Sequence, residues 1–334
     1  MPVNILITSA SRKVDLVRAF QAALAASGGG TVIPVDTSPL AAALYESPVR
    51  FLVPPSQDAS FIPVLLDLCR ARRVGLLVPT RDEELPVFAR SKDLFETAGT
   101  TVMVCAPQTV DLCQDKLAFV QFCLREGFSV PRVLLPEDLG VDSALFPVFV
   151  RDRRGKGSTK AYKVDSSHRL ADVLAVFSSP LIQEFIAEPE YTVDLFSDFS
   201  GTVVSVVPRN RLGIFGGESF IGRTFHHDRM IGECSRLAER LGLIGHNTIQ
   251  CFFAGREVRF IEVNPRFGGG AALGFAAGAP TPEFLVRLSR GLPVEPCIGR
   301  FERGLVMLRY TQDRFLREED LTSFPGGSAE IRTS

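Results

Sequence analysis

No charge of one sign dominates these 334 residues: 37 basic side chains face 38 acidic ones, a net charge of −1. A chain so balanced has no long-range field with which to collect nucleic acid or an anionic membrane, so selectivity for anions must come from local clusters. Long apolar runs are also missing. No stretch approaches the ~20 residues of a membrane span, and the apolar start Val3–Ile7 breaks into Ser9-Ala10-Ser11-Arg12-Lys13, too short for a signal peptide. The seven cysteines are an odd number with no C-x-x-C pair. That spacing argues against a disulfide framework or a zinc site and fits reduced, buried thiols. The first apolar run is followed by Thr8-Ser9-Ala10-Ser11-Arg12, without a glycine, so the G-x-G-x-x-G turn of a nicotinamide dehydrogenase is excluded. There is no Walker A spacing, internal repeat or low-complexity tract. These absences predict a soluble, cytoplasmic protein of two or three lobes that binds neither nucleic acid nor membrane.

What is present begins with alternation. Short apolar runs at 3–8, 31–36, 51–53, 75–79 and 101–105 are separated by helical patterns, among them 61–72 and 84–98. Strand-like and helix-like segments in turn predict βαβ crossovers and a parallel sheet covered on both faces. A further amphipathic helix is expected over 111–127. From about 144 the pattern changes to paired strands at 147–151, 159–164, 192–197 and 203–208. Two more, 248–253 and 258–263, flank the turn Ala254-Gly255-Arg256-Glu257, and helices are expected at 168–177, 228–241 and 282–291. The fold class read here is α/β followed by α+β with antiparallel sheets.

Three segments carry chemistry. In Phe260-Ile261-Glu262-Val263-Asn264-Pro265-Arg266-Phe267, followed by three glycines, Glu262 and Asn264 lie two apart on a strand and project from one face. A carboxylate beside an amide oxygen is a hard donor pair suited to Mg²⁺. Gln250, on the preceding hairpin strand, adds an oxygen from across the ladder, and Arg266 is placed near phosphates that such a metal would hold. Arg151-Asp152-Arg153-Arg154-Gly155-Lys156-Gly157-Ser158 is a basic, glycine-bearing loop, either a lid over polyphosphate or a solvated turn. Leu181–Asp194 is an apolar strand running into an acidic, proline-bearing link, either a hinge or a surface connection. Asp228, after His226-His227, reads as a helix N-cap rather than a triad member. Ser9–Lys13 and Arg81–Glu84, at the ends of parallel strands, are weaker candidates for ligand contact; Glu83 or Glu84 suits an amine.

These segments, in this order, resemble the ATP-grasp superfamily, and most of all single-module relatives of the carbamoyl-phosphate synthase large subunit. The resemblance implies a Rossmann-like pre-ATP-grasp domain over 1–108, a small lid subdomain over 109–186 and a C-terminal ATP-grasp subdomain over 187–334. It places Lys116, in Asp115-Lys116, and Arg151 on nucleotide phosphates, and Gly155, Lys156, Gly157 and Ser158 in the lid. Glu184 and Ile186 become hinge contacts to adenine and Glu190 a ribose contact. Gln250, Glu262 and Asn264 become metal and phosphate ligands, with Arg266 on the transferring phosphoryl group. Arg209, Arg211 and the loop 216–219 line the acceptor side, and 213–224 is read as loop.

The function implied is ATP-dependent activation of a carboxylate as an acyl phosphate for attack by an amine. ATP and one or two Mg²⁺ are the expected cofactors, with Mn²⁺ as a substitute. Small-molecule carboxylates and amines are the expected partners, and a homodimer is common in such a family. The alternatives are phosphorylation of bicarbonate or carbamate, and a non-catalytic ATP sensor, the latter favoured by the neutral amide Gln250 where a carboxylate is usual.

Overall fold

The computed structural model describes residues 2–139, 144–155, 161–215 and 218–324. The chain opens as β1 (Asn4–Ile7), α1 (Val14–Ala26), β2 (Val32–Asp36), β3 (Phe51–Leu52), α2 (Phe61–Arg72), β4 (Val74–Val78), α3 (Leu85–Thr97) and β5 (Thr101–Val102). All five strands are parallel, in the order β3-β2-β1-β4-β5. Their side chains divide by parity, as the pleat requires. Ile5, Ile7, Leu76 and Val78 pack with Val17, Phe20 and Leu24 of α1; Leu6, Ile33, Val35 and Leu77 pack with Phe61, Leu65 and Phe88 of α2 and α3. Both faces are covered. The chain leaves β1 toward β3 and returns to β4 on the other side of β1, so the carboxyl ends of β1 and β4 border a switch-point crevice.

Next come α4 (Pro107–Gln114) and α5 (Lys116–Arg125). The single helix expected over 111–127 is therefore two. The break is at Asp115, in extended conformation, whose carboxylate accepts from the N–H groups of Leu117 and Ala118 at 3.1 Å each. An aspartate offering its own backbone an N-cap overrides a continuous amphipathic pattern. Strands β6 (Val133–Leu134), β7 (Val148–Asp152) and β8 (Ala161–Val164), helix α6 (Ser167–Leu174) and strand β9 (Pro180–Glu184) follow. They make a small antiparallel sheet, β6-β9-β7-β8, over its own apolar cluster.

The rest is built on β10 (Glu190–Ser197), β11 (Val203–Phe215), β12 (Glu218–Thr224), α7 (Asp228–Leu241), β13 (Gly245–Ala254), β14 (Glu257–Asn264), α8 (Ala271–Ala276), α9 (Thr281–Leu288), β15 (Val306–Leu308) and α10 (Glu318–Thr322). The sheet is antiparallel, ordered β14-β13-β10-β11-β12-β15. Of the stretch expected to be loop over 213–224, the described residues 213–215 end β11 and 218–224 form β12. The cap of α7 is His227, whose ring accepts the N–H of Met230 at 3.2 Å, while Asp228 is the first helical residue and bonds His226 at 2.7 Å. Met230, Ile231, Cys234, Leu237, Ala238 and Leu241 form the helical stripe of α7, buried on one face of the sheet. The β13–β14 turn puts Gly255 and Arg256 both at positive φ, 56° and 73°, as a two-residue hairpin loop demands. No described helix is long and apolar enough to cross a membrane.

Candidate nucleotide and metal site

The register of the large sheet decides which side chains meet. One rung runs Glu262–Gln250–Thr192–Arg209, and the next runs Asn264–Thr248–Asp194. All project from the face opposite α7. The alternation is reset in β14: Gln250 pairs with Glu262 but Cys251 with Phe260, so Ile261 is an extra, bulged residue. Without the bulge, Phe260 and Glu262 would share a face; with it, Phe260 enters the core and Glu262 lines the cleft. The bulged residue's carbonyl also takes a bond from Arg151 Nη2, at 3.2 Å.

Glu262, Asn264 and Gln250 form a connected group: Asn264 Nδ2 donates to Gln250 Oε1 and to Glu262 Oε1, 3.3 Å each. Each is half-buried, as are Lys116, Glu190 and Arg266. Arg151, at the end of β7 in the small sheet, reaches across with Nη1 3.4 Å from Glu262 Oε2, while its Nε donates to Gln183 at 3.0 Å. Burial pulls the Arg151 and Lys116 pKa values down, and Glu262 opposes that for both. Two cations, Arg151 on β7 and Lys116 on α5, thus face one carboxylate of the large sheet. Lys116 Nζ donates to the carbonyl of Gly155, which lies at the root of the basic loop at φ +142°. Lys156, Gly157 and Ser158 lie outside the described residues, as do positions 216 and 217.

Glu184 ends β9. Its carboxylate accepts from the Arg132 N–H at 2.9 Å and from Arg259 Nη1 at 3.0 Å, tying the small sheet to β14. Ile186 lies in the link between β9 and β10, beyond that tie. Glu190 accepts from Gln250 and from Arg211, which fixes its carboxylate at the rim of the polar face. Arg209 is 2% exposed and paired with Asp194, itself 4% exposed, through Nε at 2.8 Å. The glycine run after Arg266 turns out to approach the protein itself. A Cβ on Gly270 would stand 2.7 Å from Arg209 Nη1, and one on Gly268 2.5 Å from Thr248 Oγ1.

Several partners carry no local sequence signal. Arg266 is gripped by Asp82, at 2.7 and 2.6 Å, although 184 positions separate them. Glu84 is internal: it accepts from Thr8 and Ser9, at 2.9 and 2.6 Å, and burial raises its pKa. Next to it, Lys13 donates to the Ser9 carbonyl at 3.0 Å. Burial first, then Arg81 and Arg266, lowers its pKa to about 8. His246, beneath the polar face, stacks on Phe267 at 4.3 Å and shares a hydrogen bond with Thr281 at 3.1 Å. Burial lowers its pKa to about 4.

Comparison with known proteins agrees with this architecture. Residues 5–103 match the family described as PylC-like, N-terminal domain, and residues 176–312 match the family described as ATP-grasp in the biosynthetic pathway with Ter operon. The arginine-specific carbamoyl phosphate synthase large chain of Geobacillus stearothermophilus is 25% identical over 234 residues, 64% of this chain and 22% of that protein. The carbamoyl phosphate synthase large chain of Myxococcus xanthus is 26% identical over 195 residues, 51% of this chain and 18% of that one. The chain thus spans about a fifth of the length of the curated relatives it matches. Among solved structures, Campylobacter jejuni biotin carboxylase superposes with a TM-score of 0.70 at 16% identity, covering 91% of this chain and 74% of that one. Staphylococcus aureus N5-carboxyaminoimidazole synthetase, in complex with ADP, does so at 0.70 and 13%, covering 88% and 79%. A parallel-sheet domain, a small antiparallel sheet and a larger one meeting at Glu262 give the chain the ATP-grasp fold of these solved structures, and its residues 176–312 match an ATP-grasp family.

Proposed function

We propose that this chain is an ADP-forming carboxylate–amine ligase that works on ATP held between β14 and the Lys116–Arg151 side of the cleft. The observation that carries the reading is the pairing across that cleft: an oxygen-donor group, Glu262 with Asn264 and Gln250, faces two cations, Arg151 of the small sheet and Lys116 of α5.

The donor set fits a hard divalent ion. It holds one carboxylate and two amide oxygens, and among the described residues no group of three or more His, Cys, Asp or Glu could hold a metal ion. Such a set leaves room for phosphate oxygens and water, as Mg²⁺ prefers, and lacks the nitrogen and sulfur ligands of zinc. A half-turn of the Asn264 amide presents its oxygen beside Glu262. The low negative charge favours one tightly held ion over two, and Mn²⁺ suits the same oxygens. Bound there, the metal would offset charge on the transferring phosphoryl oxygens.

The chain's own residues then align and neutralise. Lys116 and Arg151 meet phosphate oxygens, Glu190 meets ribose hydroxyls, and the link at Ile186 supplies backbone groups for adenine. Arg266, fixed by Asp82, directs a guanidinium at the transferring phosphoryl group. Positioning and electrostatics suffice for making an acyl phosphate, without a protein nucleophile. In this scheme Arg211 and Arg209 set the acceptor side, Arg209 from beneath, through Gly270.

The test is ADP release with a panel of carboxylates, each with and without amines. Release that requires both substrates is expected; release with neither class would sink the ligase reading. The likeness to carbamoyl phosphate synthase large chains supports a second reading, phosphorylation of bicarbonate or carbamate. Bicarbonate-dependent ADP release without an amine would select it.

A further inference from the structure

The start of α5 and the root of the basic loop share more bonds than either needs for its own fold. As a cap, Asp115 requires only the Leu117 and Ala118 N–H groups. Its carboxylate also takes two parallel bonds from Arg153, 2.7 Å each, and two from Arg154, at 3.2 and 3.0 Å. Next along, the Lys116 N–H donates to the Arg153 carbonyl at 3.0 Å and Lys116 Nζ to the Gly155 carbonyl at 3.1 Å. Arg153 N–H is tied in turn to Ser179, at 2.8 Å.

The two ends of these bonds differ in exposure. The Asp115 side chain is 4% exposed, whereas those of Arg153 and Arg154 are 40% and 74%. Without an anion at that point, two hydrated guanidiniums beside Arg151 would repel one another and the loop would lose its anchor. Burial alone would raise the Asp115 pKa. The bonds from Arg153, the Ala118 N–H and Arg154 outweigh it and hold the carboxyl well below the usual range, so it stays ionised.

We propose that Asp115 is a positioning residue that latches the loop root, Asp152–Gly155, to the start of α5, so that Lys116 and the loop root meet the nucleotide as one unit. The latch rests on reading the cleft as a nucleotide site only in its last clause. The bidentate Arg153 pair gives it geometric specificity, because charge-assisted bonds of this kind hold direction as well as distance.

The experiment is limited trypsin digestion without nucleotide, wild type against Asp115→Asn. Asparagine keeps the oxygen that caps α5 and removes the charge that holds two arginines. Cleavage after Arg153 and Arg154 is expected to accelerate about tenfold. Cleavage after Arg256, exposed at the tip of the β13–β14 hairpin, keeps its wild-type rate. Unchanged cutting at Arg153 and Arg154 overturns the latch, and equal acceleration at Arg256 overturns it too, by showing general loosening. In a second arm, the Kd for Mg·ATP rises severalfold in Asp115→Asn. An unchanged Kd with faster cutting overturns the positioning role. A wild type that binds no Mg·ATP removes the nucleotide reading of the cleft and the last clause with it, while the digestion still decides the latch.

Discussion

The central strands of the large sheet present two faces that obey different rules. On one, Val193, Leu195, Ile249, Cys251 and Val263 pack under Met230, Cys234 and Leu237 of α7, and burial of apolar area stabilises them. On the other, their immediate neighbours Thr192, Asp194, Thr248, Gln250, Glu262 and Asn264 are polar, and most of their charge is met by other protein groups. Ion pairs of this kind add little net stability, since desolvation offsets the attraction, but they fix direction. The comparison teaches that period-two alternation keeps the fold's stability on one side of a strand and its candidate chemistry on the other.

The sharpest way to break that comparison is at a buried ion pair on the polar face, Asp194 with Arg209. Asp194→Ala strands Arg209 without a counter-ion and is expected to cost about 3–5 kcal/mol in chemical denaturation. Adding Arg209→Met should recover much of that loss; no recovery would show that the pair is held for packing rather than charge.

Second is acid. His246 has a folded pKa of about 4 against an ordinary 6.5, because burial disfavours the imidazolium. As pH falls the unfolded chain takes up this proton first. The contribution is therefore whole above pH 6.5 and is lost between 6.5 and 4, by on the order of 3 kcal/mol. His246→Phe should flatten that part of the stability–pH curve, and an unchanged slope would assign it to carboxylates elsewhere.

Third, Glu262→Gln separates the faces by function. Stability should move by no more than about 1 kcal/mol, while ATP turnover drops on the order of 100-fold. The smallest effect lies on the apolar side. Gly242 ends α7 at φ 65°, and nothing lies within 4 Å of an added Cβ. Gly242→Ala should cost about 1 kcal/mol, from backbone strain alone, with turnover intact. A loss of turnover there would couple α7 to the cleft.

Much of the fold is legible in the chain because local periodicity is strong where α2, α7 and the β13–β14 hairpin form, and their limits follow from it. The shared face of Glu262 and Asn264 is legible for the same reason. Other features depend on distance. The bulge at Ile261 leaves no mark in the sequence, and the Asp82–Arg266 pair joins residues 184 apart. Asp115 breaks an amphipathic pattern without glycine or proline, so periodicity alone runs through it. The stretch 213–224 reads as loop, yet pairing with β11 and β15 makes its residues 218–224 a strand, β12. Tertiary pairing overrides composition there.

The central claim is that the Glu262 carboxylate holds the metal of a nucleotide cleft. Calorimetric titration of ATP against increasing Mg²⁺, in wild type and Glu262→Gln, tests it most directly. The account predicts that Mg²⁺ strengthens ATP binding to the wild type at least tenfold, on the order of one lost charged ligand, and leaves binding to Glu262→Gln unchanged. An equal Mg²⁺ response in both proteins would contradict it.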